Sequence, residues 1–177
     1  RATWSFPGMG QPMAVPFITI LPRLRMVPSY STAERASPGN TAGGLGGAIY
    51  NTRSITLNPG AGQEIVFSGN TDSTGSNAIF MGDGSSLDIT GDGKVVFNDA
   101  LSSQSATPAL KKTGSGTLLF NASMDGFLGT AAFEDGRTEI AQKWLIKNTV
   151  IITGGEIEDA CVFLCCQGEG TMSLAAS

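Results

Sequence analysis

The sequence predicts an all-β chain wound as a parallel β-helix of many short strands. Three observations lead there. Gly supplies 24 of the 177 residues, against an average usage of roughly 7 %, so turns are dense. The segment Leu87-Asp88-Ile89-Thr90-Gly91-Asp92-Gly93-Lys94-Val95-Val96-Phe97-Asn98-Asp99-Ala100 lies over Leu110-Lys111-Lys112-Thr113-Gly114-Ser115-Gly116-Thr117-Leu118-Leu119-Phe120-Asn121-Ala122-Ser123 without a gap, keeping Leu, Thr, both Gly, an apolar pair, Phe and Asn in step. A weaker copy precedes it, Leu57-Asn58-Pro59-Gly60-Ala61-Gly62 and then Glu64-Ile65-Val66-Phe67-Ser68-Gly69-Asn70. The spacing is the third sign: Phe67 to Phe97 is 30 residues, Phe97 to Phe120 is 23, Ala48-Ile49 to Ala78-Ile79 is 30, and Ala78-Ile79 to Ala109-Leu110 is 31. A variable period of roughly 20–30 residues with two or three short strands fits one coil of a parallel β-helix. In such a coil each strand pairs with its copy one turn later, so equivalent Phe and Val side chains stack in interior columns. Asn70, Asn98 and Asn121 are then expected to hydrogen-bond up the stack. The competing architecture is an antiparallel β-sandwich, which calls for tight Asn-Gly hairpins at a regular spacing of about 8–12 residues.

The elements follow in order. Residues 1–38 hold six of the eight prolines and read as extended pieces between breaks, for example Phe17-Ile18-Thr19-Ile20-Leu21. This proline-rich N-terminal segment is either a cap on the strand stack or a leader. From Gly39 the composition shifts. A glycine-dense turn, Gly43-Gly44-Leu45-Gly46-Gly47, runs into Ala48-Ile49-Tyr50-Asn51. Strands are predicted at Ser54-Ile55-Thr56-Leu57, Glu64-Ile65-Val66-Phe67, Asn77-Ala78-Ile79-Phe80, Ser86-Leu87-Asp88-Ile89 and Lys94-Val95-Val96-Phe97, then at Ala109-Leu110, Thr117-Leu118-Leu119-Phe120, Ala132-Phe133 and Thr138-Glu139-Ile140. Each is short and bounded by Gly, Asn, Asp or Ser. Residues 39–141 thus form the β-helix repeats. Residues 142–177 contain the strand candidates Trp144-Leu145-Ile146 and Val150-Ile151-Ile152-Thr153 and the apolar run Cys161-Val162-Phe163-Leu164-Cys165-Cys166, as a continuation of the coil or a cap across its end.

Composition excludes several function classes. The net charge is −4, with residues 1–38 at +3 and the remainder at −7, and no basic stripe exists for a nucleic acid. The absence of His removes the commonest general base and the commonest metal ligand. Cys161, Cys165 and Cys166 are odd in number and tightly spaced, which describes buried small apolar residues rather than a disulfide framework. No run of 18 apolar residues occurs, so no membrane-spanning helix is predicted. Pro7, Pro12 and Pro16 interrupt any apolar h-region of a signal peptide.

Two constellations deserve weighing as chemistry. In the stretch from Asp88 to Asp99, acidic residues stand at positions 1, 5 and 12, Gly at 6 and an apolar residue at 8, the spacing of a calcium loop with ligands Asp88, Asp92 and Asp99. Thr90 is a weak ligand at position 3, Asp99 has a shorter arm than Glu, and the parallel copy carries Lys and Ser instead, so a plain turn is the stronger reading. Gly82-Asp83-Gly84 and Gly91-Asp92-Gly93 lack the nonapeptide register of calcium β-rolls. The glycine run 43–47 lacks the Lys-Ser/Thr ending of a phosphate loop. Asp72, Asp83, Asp88 and Asp92 are the candidates for a carboxylate pair that cleaves polysaccharide, weighed against a solvated acidic face. No catalytic, cofactor-binding or metal-binding residue is assigned, and no cofactor is expected.

A family resemblance rests on two pieces of the chain within about 40–141. Gly46-Gly47-Ala48-Ile49-Tyr50-Asn51 followed by Phe67-Ser68-Gly69-Asn70-Thr71 is similar to the paired GGAI and FxxN repeats of polymorphic-membrane-type passengers. The stretch from Leu110 to Phe120, with Phe127-Leu128-Gly129-Thr130 and Gly136-Arg137-Thr138-Glu139-Ile140, resembles the passenger-associated repeat of autotransporters. Phe127 departs from the usual Tyr, Arg137 stands inside the last glycine-turn strand, and the Cys cluster is unusual for an exported passenger. The resemblance implies a right-handed parallel β-helix, location at the cell surface or secretion, and a stalk or adhesin role without catalysis. Its implied partners are host or bacterial surface glycans or proteins. Open strand edges add an expectation of self-association. The alternatives are a polysaccharide-cleaving β-helix enzyme and a calcium-stabilised binding module.

Overall fold

Short runs such as Ser-Ile-Thr-Leu and Glu-Ile-Val-Phe cannot bury both faces alone, so they are stable only as rungs stacked on like rungs. The computed structural model, which describes residues 24–26, 39–142, 149–159 and 171–174, shows that stacking. The described residues form strands and turns with no helix. Strand β1 (Leu24–Met26) precedes a first coil of β2 (Ile49–Asn51), β3 (Ser54–Leu57) and β4 (Glu64–Phe67). A hairpin of β5 (Thr71–Asp72) and β6 (Gly75–Ser76) leads to a second coil, β7 (Ile79–Met81), β8 (Ser86–Ile89) and β9 (Lys94–Phe97). The third coil is β10 (Leu101–Ser103), β11 (Ala109–Lys112) and β12 (Thr117–Phe120). Then follow β13 (Thr130–Phe133), β14 (Arg137–Ile140), β15 (Thr149–Ile152), β16 (Glu156–Asp159) and β17 (Thr171–Leu174).

Corresponding strands assemble three parallel sheets. One runs β1-β3-β8-β11-β13-β15-β17, the second β2-β7-β10 and the third β4-β9-β12-β14-β16. Among the described strands the only antiparallel pair is the β5–β6 hairpin, which overturns the sandwich alternative. The architecture is a parallel β-helix. Its ladders continue past residue 141 through β15, β16 and β17. Phe17–Leu21, Trp144–Ile146 and the Cys161–Cys166 run lie outside the described residues.

The register agrees with the ungapped alignment: Leu87 sits on Leu110, Lys94 on Thr117 and Phe97 on Phe120. Alternate residues point inward and form columns. Phe67, Phe97 and Phe120 stack with ring centroids 4.8 and 5.2 Å apart. Ile55, Leu87, Leu110, Ala131 and Val150 make a second buried column. Each fully buried Leu, Ile or Phe side chain contributes about 1.5–3 kcal/mol, so the columns hold the rod together.

Two expectations are corrected. Ala109-Leu110 does not stack on Ala78-Ile79: Ile79 pairs with Leu101 in β10, and Leu110 pairs with Leu87 on another sheet. β10 is Leu-Ser-Ser, with one apolar residue. It is a strand because its backbone pairs with β7, and hydrophobic pattern could not mark it. Asn70 is also not in the Asn98–Asn121 column. Those two directly follow Phe97 and Phe120, whereas Asn70 stands three residues after Phe67.

Coil length varies at identifiable places. The turn between the seven-stranded and five-stranded sheets spans 58–63, 90–93, 113–116, 134–136 and 153–155 in successive coils, shrinking from six residues to four and then three. In the equal turns Gly-x-Gly stacks on Gly-x-Gly, with Gly116 N–H donating to Gly91 O at 3.1 Å. A Cβ on Gly116 would fall on the Gly93 carbonyl oxygen, so only Gly fits there. Among the described residues no strand after β12 extends the three-stranded sheet. The 121–129 loop takes its place, accepting Ser103 N–H at Gly126 O (3.0 Å) and burying Met124 and Phe127.

Candidate functional site

Several of the buried polar side chains gather at the corners of the coil. Asn40, Asn70 and Asp99 form a ladder at the corner between the five-stranded and three-stranded sheets. Asp99 accepts Gly69 N–H (3.0 Å), Asn70 N–H (2.8 Å) and Asn70 Nδ2 (2.6 Å), with Ser76 Oγ at 3.3 Å. Asn70 Oδ1 in turn accepts Asn40 N–H (3.1 Å) and Asn40 Nδ2 (3.0 Å). Thr41 and Thr71 form a parallel bridge beside it. The sequence reading missed this ladder. Its signal is the triplet Gly-Asn-Thr, at 39–41 and again at 69–71, at the same 30-residue offset as Phe67 and Phe97.

The neighbouring hairpin is tied down by Asp72. Its carboxylate accepts Gly46 N–H (3.0 Å), Thr74 N–H (2.7 Å) and Thr74 Oγ1 (2.6 Å). Burial opposes its ionisation, but the hydrogen bonds from the Thr74 hydroxyl and from the Thr74, Gly46 and Gly75 backbone outweigh it and hold the carboxyl below its usual 3.8. On the next corner position Asn121 Nδ2 donates to Asn98 Oδ1 at 2.7 Å, so the expected amide stacking holds for this pair.

The remaining expected acidic residues sit apart. Asp83 and Asp92 each accept one Ser hydroxyl from the next coil, from Ser105 and from Ser115. Asp88 lies on the outer face of β8 and meets Ser86 Oγ at 3.3 Å. Asp88, Asp92 and Asp99 therefore occupy a strand, one corner and a different corner. Among the described residues no group of three His, Cys, Asp or Glu gathers to hold a metal ion. Asp72 and Asp99, the two buried carboxylates among the described residues, spend their oxygens on N–H and O–H donors. A carboxylate engaged in this way is anchored as an acceptor, which favours turn architecture over proton transfer.

Lys112 is the unexpected group. It is fully buried, in the inward column between Ile89 and Phe133. Its ammonium donates to Gly114 O and to Asp135 O (3.0 Å). The cause is the turn-length change. The three-residue turn 134–136 rides on the four-residue turn 113–116; the N–H groups of Glu134 and of Arg137, the first residue of β14, donate to Lys112 O and Gly116 O. Gly136 N–H turns instead to its neighbour's carboxylate, Asp135 Oδ1, at 2.7 Å. Lys112 meets the Gly114 carbonyl from inside the coil. Desolvation lowers its pKa from the usual 10.5, against the raising influence of Asp135 and Asp92.

These observations define the chain as a parallel β-helix with buried polar groups stitching several of its corners. No helix among the described residues is long and apolar enough to cross a membrane. No family model, curated protein or solved structure matches the chain.

Proposed function

We propose that this chain is a non-enzymatic segment of a Gram-negative autotransporter passenger, acting as a surface-exposed β-helical stalk or adhesin. One observation carries the reading: the described interior is committed to register-true columns such as Phe67–Phe97–Phe120, the construction of a rigid rod. The anchoring of Asp72 and Asp99 by backbone donors supports it, because the buried carboxylates serve the corners. The resemblance of residues 40–141 to passenger repeats supplies the location.

The test has two arms. Antibody raised against the chain should label intact cells of the source organism, and protease added outside should remove the label. The purified chain should release no reducing ends from surface polysaccharides. Labelling only after permeabilisation overturns the location; turnover of polysaccharide overturns the non-enzymatic role and favours the cleaving β-helix.

A further inference from the structure

The dipeptide Asp-Gly occurs four times in the chain, at 83–84, 92–93, 125–126 and 135–136. In this pair an aspartyl side chain closes readily on the following backbone nitrogen, because glycine has no Cβ to obstruct the approach. The fold treats the four pairs differently. Gly84 N–H donates to Thr107 Oγ1 at 2.9 Å while Asp83 Oδ1 accepts the Ser105 hydroxyl. Gly93 N–H donates to Pro59 O at 2.9 Å while Asp92 Oδ1 accepts the Ser115 hydroxyl at 2.8 Å. In both pairs the nitrogen and the carboxylate are drawn to separate partners. Asp125 and Gly126 are the central residues of a turn closed by Phe127 N–H on Met124 O at 2.9 Å, between two buried side chains. At the fourth pair the Gly136 N–H donates to the carboxylate of Asp135 itself, Oδ1 at 2.7 Å. Asp135 is exposed, and Gly136 has a φ of 69°.

We propose that Asp135–Gly136 is a site of spontaneous backbone isomerisation to isoaspartate, with water as the only co-reactant. The Gly136 nitrogen attacks Asp135 Cγ. The N–Cγ bond forms as the Cγ–OH bond of the protonated carboxyl breaks, and the hydroxyl leaves with the amide proton as water. One water then opens the resulting succinimide. Attack at Cγ restores aspartate. Attack at the main-chain carbonyl carbon of Asp135 breaks its bond to the Gly136 nitrogen, and the chain then runs through Cβ and Cγ. Composition is unchanged and the backbone is one atom longer. The observed hydrogen bond supplies the orientation, since the nitrogen already lies against the carboxyl group whose carbon it must reach. At 83–84 and 92–93 the same approach first has to break the contacts that hold the two groups apart. The position in the fold gives the product a consequence. The turn 134–136 is one residue shorter than the turn 113–116 beneath it. Isomerisation lengthens it and converts Asp135 O, which accepts the Lys112 ammonium at 3.0 Å, into a carboxylate oxygen. The buried cation thereby gains an anionic partner.

The other Asp-Gly pairs are internal controls. The full chain is aged in neutral buffer made with heavy-oxygen water, one sample folded and a parallel one unfolded in guanidinium chloride. Both are then digested, and electron-transfer fragmentation locates isoaspartate. Heavy oxygen also marks rings that reopened to aspartate, so both products are counted. In the unfolded sample the four pairs should react at comparable rates, because only local sequence acts there. Folding should slow Asp83 and Asp92 at least about tenfold and leave Asp135 within about threefold of its unfolded rate. Asp135→Glu, whose longer arm does not form the five-membered ring, should abolish the isoaspartate signal at that position while the circular dichroism of the chain stays the same. Suppression of Asp135 by folding to the same degree as Asp83 and Asp92 overturns the proposal. So does isoaspartate that accumulates faster at Asp83, Asp92 or Asp125 than at Asp135 in the folded chain.

Discussion

Replacing Lys112 by Met tests whether a buried ammonium is what reconciles two turns of different length. Met keeps the unbranched stem and removes the donor, so the change isolates hydrogen bonding from packing. The Gly114 and Asp135 carbonyls lose their donor inside a filled column. An unsatisfied buried acceptor costs about 1–3 kcal/mol, so the pair costs about 2–6 kcal/mol. Relief of the ammonium's desolvation offsets part of this, and the lowered pKa of Lys112 gives the sign of that offset. The expected net loss is about 2 kcal/mol, read from urea denaturation followed by far-ultraviolet circular dichroism. The pH dependence provides a second reading. The unfolded chain holds the Lys112 proton more tightly than the folded chain, so stability should rise with pH between the lowered folded value and 10.5. That rise should shrink in Lys112→Met. Inserting one Gly between Asp135 and Gly136 lengthens the upper turn to match the lower and should recover part of the loss in the Met variant while destabilising the parent. A Met variant as stable as the parent, with an unchanged pH profile, refutes the reasoning.

Three further outcomes follow from the columns and corners. Phe97→Ala removes the middle ring of the Phe67–Phe97–Phe120 stack and should cost about 3–5 kcal/mol in denaturant unfolding, whereas Val66→Ala at the exposed end of its column should cost less than about 1 kcal/mol. Asp99→Ala strips the acceptor from three N–H groups of Gly69 and Asn70 and should cost about 2–4 kcal/mol, with amide exchange accelerating first at Gly69 and Asn70. The folded Asp72 carboxyl titrates below 3.8, so its contribution is present above that value and is lost as pH falls through the lowered folded value; Asp72→Asn should flatten this acid limb of the stability profile.

How much of this was legible in the sequence differs between strands and corners. Strands with alternating or clustered apolar residues, such as Ser54–Leu57 and Thr117–Phe120, announced themselves because burial on one face leaves a period of two. The alignment of residues 87–100 with 110–123 carried the register of β8 on β11 and β9 on β12. β10 did not show, because Leu101-Ser102-Ser103 is held by its ladder to β7 and not by its own side chains. At the corners residue types alone do not say where a side chain goes. Asp88, Asp92 and Asp99 have calcium-loop spacing, yet a coil turns between them and sends them to different places. Lys112 drew no notice beside Lys111, its neighbour on the outer face. Lys111 reaches Glu134 at 3.1 Å in an exposed pair, whereas Lys112 is buried. One step along a strand reverses the direction of the side chain, and only the burial of the column tells which lysine is inside.

The sequence by itself determined that this chain is a stack of short parallel strands, because glycine turns and apolar triplets repeat at a coil's length and local pattern is enough to specify a rung. Only the tertiary structure decided which rungs are neighbours, which lysine enters the core and where each carboxylate goes. Turn length enters at Lys112: where a three-residue turn rides on a four-residue turn, the side chain that reaches the Asp135 carbonyl lies 23 residues away in the chain.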